Sequence, residues 1–165
     1  MVKEGYKEVK RGLNHYQVPN YWDVKWLNEI ADYSGGSQPP KKTFVNEEKE
    51  GYVRLYQIRD YTGSQDKPAY IPEDKASKTT EKGDIIIGRY GASIGKVFLA
   101  EEGAYNVAMV KVLLEDNTNK KYMYYYFNSK IFQDRLNIGV RAAQSGFNKD
   151  DWATFSVPLP PLPEQ

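Results

Sequence analysis

The residues that first invite a chemical reading are Ile87-Gly88-Arg89-Tyr90-Gly91-Ala92-Ser93-Ile94-Gly95-Lys96, since glycines ahead of a lysine can cradle phosphate. A phosphate loop spaces its glycines by four residues and follows the lysine with Ser or Thr, so that backbone amides and a metal-binding hydroxyl meet the phosphates. Here three residues lie between Gly91 and Gly95, and Val97 follows Lys96. The stretch also joins strand to strand, with no helix N-terminus to hold an anion, and reads as a tight turn. Asp60 with Glu73-Asp74-Lys75 has the residue types of a metal-dependent nuclease. Such carboxylates must sit on adjacent strands to share a divalent ion, and these follow Pro72 in a loop-like context. Gln38-Pro39-Pro40-Lys41 lacks the flanking Asn or Asp and the aromatic with which amino-methyltransferases grip a flipped base. The single His15 cannot build a metal cluster, and the absence of cysteine removes disulfides and thiolate sites. No catalytic apparatus and no metal site are expected.

Positioning falls to a mixed set of elements. Residues 1–20 mix lysine and glutamate with few apolar side chains and read as an extended, flexible leader. Leu27-Asn28-Glu29-Ile30-Ala31 reads as a short helix, ended by the loop Ser34-Gly35-Gly36-Ser37-Gln38-Pro39-Pro40, which Lys41-Lys42-Thr43 makes basic. Gly51 to Ile58 alternates as a strand, 59–64 turns, and 65–82 is a polar surface loop with short extended pieces. Ile85-Ile86-Ile87 reads as a buried strand, Ile94 to Ala100 as a second and Val107 to Leu114 as a third, together an antiparallel meander. Tyr122, Tyr125, Tyr126, Phe132 and Leu136 recur near helical spacing and predict one helix from Asn119 to about Asn137. Asn148-Lys149-Asp150-Asp151-Trp152 looks like a capped turn opening a short helix, and Phe155 to Gln165 is extended and stiffened by proline. The expected fold class is α+β: a curved, mainly antiparallel sheet with surrounding helices, residues 21–165 forming a single domain behind the leader.

At 165 residues, 40% hydrophobic and 27% charged, the chain can bury a core. It has no long apolar run and no charged-then-apolar start, so a cytoplasmic protein without a membrane partner is expected. A net charge of +1 does not announce nucleic acid, yet it permits a basic face opposite an acidic one. The 14 tyrosines read mostly as core and sheet packing, the alternative being that several sit on a recognition surface.

One series of short motifs runs through the chain: Trp22-Asp23-Val24-Lys25-Trp26-Leu27-Asn28-Glu29-Ile30, then Gly35-Gly36-Ser37-Gln38-Pro39, then Arg54-Leu55-Tyr56-Gln57-Ile58-Arg59-Asp60. The Gly-Asp-Ile-Ile element and glycine turn from Gly83 to Gly95 follow, then Ala142-Ala143-Gln144-Ser145-Gly146-Phe147-Asn148, and the closing Pro158 to Gln165. In this order the elements resemble the type I restriction-modification specificity subunit family. The resemblance covers about residues 20–165. It implies a target-recognition domain that reads one half of a split target in double-stranded DNA and performs no catalysis. It further implies a spacer helix beginning at Gln165. Methyltransferase subunits would use S-adenosylmethionine for adenine-N6 methylation and a restriction subunit would use ATP, leaving this chain with no cofactor of its own.

Reading DNA needs side chains at base edges, with phosphate contacts fixing register. The side chains expected to do so come from four segments: Gln38, Lys41 and Lys42; Arg54, Tyr56, Gln57 and Arg59; Arg89, Tyr90, Ser93 and Lys96; and Arg141, Gln144, Ser145, Asn148 and Lys149. Each has a plainer role as a solvated side chain or local cap, and Gln144 matches a step shared by the family. Two other readings stand beside this one: the reader end of a single-chain restriction-methyltransferase, and a protein-interaction domain that keeps the fold.

Overall fold

Alternation begins earlier than the lysine-rich opening suggests. Val9, Tyr16 and Val18 are spaced to share one face of a hairpin whose other face carries the charges. The computed structural model describes residues 2–64, 66–140 and 146–165. In chain order its elements are β1 (Tyr6–Arg11), β2 (Asn14–Pro19), β3 (Asp23–Trp26), α1 (Leu27–Ile30), β4 (Ala31–Gly35), β5 (Tyr52–Tyr56), α2 (Ile58–Tyr61) and β6 (Ala69–Pro72). They continue as β7 (Thr79–Thr80), β8 (Ile85–Gly88), β9 (Val97–Leu99), β10 (Gly103–Tyr105), β11 (Met109–Leu114), α3 (Lys120–Asn128), α4 (Lys130–Val140), α5 (Lys149–Trp152) and β12 (Ser156–Leu159). The chain divides into two compact units, Met1–Asp32 with Leu113–Gln165, and Tyr33–Val112, where a single domain from residue 21 was expected.

In the first unit the expected leader is a paired hairpin. β1 and β2 run antiparallel from Tyr6↔Pro19 to Arg11↔Asn14, joined by Gly12-Leu13 with Gly12 at φ +58, as a type II′ turn requires. Tyr16 and Val18 are buried with Val24 against Val9, Trp22 and Ile131. The Tyr16 hydroxyl donates to the Ser156 carbonyl at 3.0 Å, so the segment is fastened to β12. β12 in turn pairs antiparallel with β3, Trp26↔Ser156 to Asp23↔Leu159. Charge density concealed this hairpin, because only one face of a half-buried strand must be apolar.

The single helix expected from Asn119 to Asn137 is two, α3 and α4. Ser129 caps α3 in extended conformation (φ −75, ψ 158), its hydroxyl donates to the Tyr126 carbonyl at 2.6 Å, and its own carbonyl accepts from Gln133 N at 3.0 Å. A serine that satisfies the backbone on both sides of a break makes the break inexpensive. Phe127, Phe132, Phe147, Trp152 and Phe155 form the aromatic core of this unit, with Phe127 and Trp152 stacked at 5.6 Å and Phe132 and Phe155 at 4.7 Å. Asn148 caps α5 as its sequence predicts, accepting from Asp151 N at 2.9 Å.

Burial leaves three phenols of this unit reluctant to ionise. Tyr16 is raised, Tyr122, which donates to the Pro158 carbonyl, is pushed up to about 12, and Tyr126 is held well above its ordinary value, in each case chiefly by desolvation. In the unfolded chain they ionise near 10. Between that pH and the folded values the unfolded state binds fewer protons, so stability falls as pH rises. The expected slope is about 1.4 kcal/mol per pH unit for each tyrosine held neutral. Urea unfolding midpoints should hold steady below pH 9 and drop between pH 10 and 12; unchanged midpoints across that window would contradict this account.

The second unit contains two four-stranded sheets. One has the order β6-β5-β10-β7 and the other β4-β11-β8-β9. β5 with β6, β7 with β10, β8 with β9 and β8 with β11 pair antiparallel, whereas β5 with β10, Leu55↔Ala104 and Tyr56↔Tyr105, runs parallel. The α+β class and the mainly antiparallel pairing agree with the sequence, whereas the simple meander does not: the third expected strand, β11, pairs with β8 and not with β9. Leu55, Ala69, Ile71 and Ala104 form one core cluster, and Ile86, Ala100, Tyr105 and Met109 another. The second expected strand shortens to Val97–Leu99 because Gly91–Ser93 is a 3-10 turn, and the third starts at Met109 rather than Val107. Among the described residues no helix is long and apolar enough to cross a membrane.

Candidate nucleic-acid interface

Three stretches of the Tyr33–Val112 unit are drawn to one connection, residues 105–109 between β10 and β11. Gly36 N donates to the Met109 carbonyl and Ser37 N to the Tyr105 carbonyl, both at 3.1 Å. Asn106 N donates to the Tyr56 carbonyl at the end of β5 at 3.1 Å, and Arg89 N, just past β8, to the Ala108 carbonyl at 2.9 Å. Within the connection the Asn106 side chain accepts from Ala108 N at 3.2 Å. Backbone bonds alone therefore bring the ends of β4, β5 and β8 together. Close approach is what the glycines supply: a Cβ on Gly36 would lie 2.7 Å from the Tyr105 carbonyl oxygen and closer still to that of Asn106, and one on Gly88 would strike the Ser93 carbonyl. The glycine turn is closed by Gly88 N to Lys96 O and Gly95 N to Gly88 O, both 2.9 Å, which is the strand-to-strand turn expected and not a phosphate loop.

On this frame Arg89 is held over two aromatic faces, its guanidinium carbon 5.9 Å from the Tyr33 ring centre and 5.2 Å from that of Tyr90. Such contacts orient the guanidinium plane. Tyr105 anchors the same place from beneath, donating to the Ser34 carbonyl at 2.9 Å; burial raises its phenol, and the Ser34 bond opposes that shift. Gln38, Lys41 and Lys42 are exposed in the adjoining loop, the two lysines opening a 3-10 turn capped by Thr43 Oγ1 donating to the Pro40 carbonyl at 2.7 Å. Tyr90 and Lys96 are exposed and Ser93 half-buried on the glycine turn. Arginine, amide and lysine groups in this setting can contact base edges and phosphates.

Other expected contacts are committed elsewhere. Arg54 pairs with Asp60 at 2.7 Å and donates to the Leu55 and Ala69 carbonyls at 3.0 and 2.9 Å, with the Tyr56 ring 4.9 Å away. It is a half-buried brace across β5, α2 and β6, and this pairing is also where the supposed nuclease carboxylate Asp60 is spent. Gln57 caps α2, its backbone N donating to Asp60 at 2.7 Å. Tyr56 packs on Tyr61 at 5.6 Å. Arg59 pairs with Asp66 at 3.0 Å and reaches the Lys67 carbonyl at 3.4 Å. Asn148 is the α5 cap, and Lys149 pairs with Asp32; both belong to the first unit. Arg141, Gln144 and Ser145 lie outside the described residues.

Sequence reasoning missed the 105–109 connection, of which only 107–109 were read, as the start of a strand, and Lys78, whose ammonium donates to Ser34 Oγ at 3.1 Å. Asn106 was the available signal, since asparagine disfavours strands and its side chain can close a turn on the backbone two residues on. A separate cleft of about 450 Å³ is walled by Val53, Arg54, Thr79, Thr80, Glu81, Glu102 and Gly103. Its glutamates make it a poor seat for phosphate. Among the described residues no three His, Cys, Asp or Glu side chains gather as metal ligands.

Residues 19–165 match the family described as the type I restriction modification DNA specificity domain. The whole chain aligns at 25% identity with the type I restriction enzyme MjaVIII specificity subunit of Methanocaldococcus jannaschii, covering 38% of that protein. Two solved structures share the fold: the HsdS subunit of Thermoanaerobacter tengcongensis (TM-score 0.69, 19% identity, 95% of this chain and 37% of that one), and a chain of a type I R-M system studied for complex assembly and conformational transition (TM-score 0.69, 21% identity, 89% and 36%). The chain thus spans less than two-fifths of the length of each.

Proposed function

The chain belongs to the type I restriction-modification DNA specificity family, and from that premise we propose that it reads one half of a bipartite target in double-stranded DNA. The observation that carries the reading is the backbone-stitched meeting of β4, β5 and β8 at residues 105–109; to the segments that leave it we assign Gln38, Lys41, Lys42, Arg89, Tyr90, Ser93 and Lys96 as contacts. Loops fastened this way can change side chains, and hence target, without disturbing the core. Arg89 and Gln38 are the base-edge readers in this scheme, and Lys41, Lys42 and Lys96 the phosphate contacts. Arg141, Gln144 and Ser145 keep a place in it on side-chain chemistry alone.

Catalysis belongs to partners in this reading. Methyltransferase subunits supply adenine-N6 methylation with S-adenosylmethionine, a restriction subunit supplies ATP-driven cleavage, and this chain carries no cofactor. The motif failures at Gly91–Lys96, Asp60 and Pro39–Pro40 support that division, as does the spending of Asp60 on Arg54. The complex would act in the cytoplasm, where its DNA is.

The test is salt dependence. In the assembled complex, Lys41→Ala with Lys42→Ala should weaken binding to all duplexes alike and flatten the slope of log K against log salt by about 1 to 2, with base preference kept. An unchanged slope would remove the lysine loop from the interface.

A further inference from the structure

Val107 is the one strongly exposed residue in the run Ala104–Val112, with 41% of its surface accessible, while Ala104, Tyr105, Met109 and Val110 are each 1% or less. A single exposed apolar side chain needs no explanation on most loops. This one stands at the centre of the connection to which three segments are tied, between Asn106, bonded to the end of β5, and Ala108, bonded to Arg89. Asn106 also closes the turn beneath it, its carbonyl accepting from Met109 N and its side chain from Ala108 N, both at 3.2 Å. The backbone carrying Val107 is therefore fixed on both sides, and a β-branched side chain has little rotamer freedom left to lose on binding.

We propose that Val107 is a specificity-determining residue, its methyl groups packing on the 5-methyl of a thymine in the recognised half-site. Apolar contact with that methyl distinguishes thymine in the major groove from the other bases. Arg89 is tied to the same connection by its backbone N on the Ala108 carbonyl, so a guanidinium and a branched apolar side chain are both carried by segments that meet there. The inference rests on the DNA-reading function proposed above and adds to it a base and a chemical group.

The experiment uses the assembled methyltransferase complex and its target duplex, found by mapping methylated sites, with each thymine replaced in turn by deoxyuridine. One such replacement should weaken wild-type binding about fourfold, the value of one buried methyl. Val107→Ala should bind the thymine duplex more weakly and lose the thymine-over-uracil preference at that position alone. Val107→Thr, which keeps the shape and one of the two γ-methyls, should fold normally and retain a reduced preference, between those of wild type and Val107→Ala. A wild-type complex indifferent to every thymine methyl, or a Val107→Ala complex with an undiminished penalty, would overturn the assignment. A complex that fails to prefer its target over a scrambled duplex would overturn the underlying DNA-reading function as well.

Discussion

Exchanging Gly36 for alanine should cost the protein its target discrimination, while the same exchange at the neighbouring Gly35 should be tolerated. At Gly36 the new methyl would press into the carbonyls of both Tyr105 and Asn106, whereas at Gly35 the nearest atom is Arg89 Nη1 at 3.6 Å, an ordinary contact. Neither glycine has a positive φ, so the contrast is one of space alone. Backbone must yield at Gly36, and the bonds from Gly36 N to Met109 and Ser37 N to Tyr105 are the first to stretch. Overpacking of this kind costs about 1–3 kcal/mol of stability. The larger effect is on recognition, because each base-edge contact is worth roughly 1–3 kcal/mol and fails when its side chain moves off register. Competition binding of target against scrambled duplex should show at least about a tenfold loss of preference for Gly36→Ala. Equal preferences in the two variants would show that this junction does not position the readers.

The second large effect is expected in the other unit, at Trp152. Its side chain is 1% exposed and stacks on Phe127 at 5.6 Å and Phe147 at 6.2 Å, and its Nε1 donates to the Ala31 carbonyl at 2.8 Å. Truncation to alanine opens a cavity among aromatic rings and strands a buried carbonyl, a loss of about 3–5 kcal/mol. Against a total of roughly 5–15 kcal/mol for a typical domain, that is a large share of the whole. Trp152→Phe restores most of the packing and leaves only the Ala31 carbonyl unpaired, so it should recover more than half the loss. Urea unfolding followed by far-UV circular dichroism measures both. A Trp152→Ala variant within about 1 kcal/mol of wild type would mean that the aromatic cluster is not the core of the unit.

Much of this architecture was legible because local signals agreed with one another. The Ile85–Ile87 run and the Asn148 cap each demand one structure and each is found, while the alternation of Gly51–Ile58 is a strand only over Tyr52–Tyr56, since Gln57 caps and Ile58 opens α2. The failures have a common cause: they sit where tertiary partners decide. Tyr16 and Val18 become a core face only because β12 and Ile131 are there to cover them. The helix break at Ser129 lies inside an apolar period that runs on through it. At the candidate site, exposed Gln38, Lys41 and Lys42 could be chosen from loop composition, but Arg54 and Arg59 could not be told from base readers. What separates them is the partner each finds, Asp60 and Asp66, and sequence spacing does not reveal it. The 105–109 connection escaped notice because its importance lies in backbone bonds to three distant segments, and those carry no residue signature beyond Asn106.

The most direct test of the central claim is to replace Tyr33–Val112 with the corresponding segment of another family member and map methylated adenines in a host that carries the methyltransferase partners. The half of the methylated motif read by this chain should change to the donor's, with the spacing between halves unaltered. An unchanged motif in a folded, active complex would place sequence reading outside this unit and contradict the account.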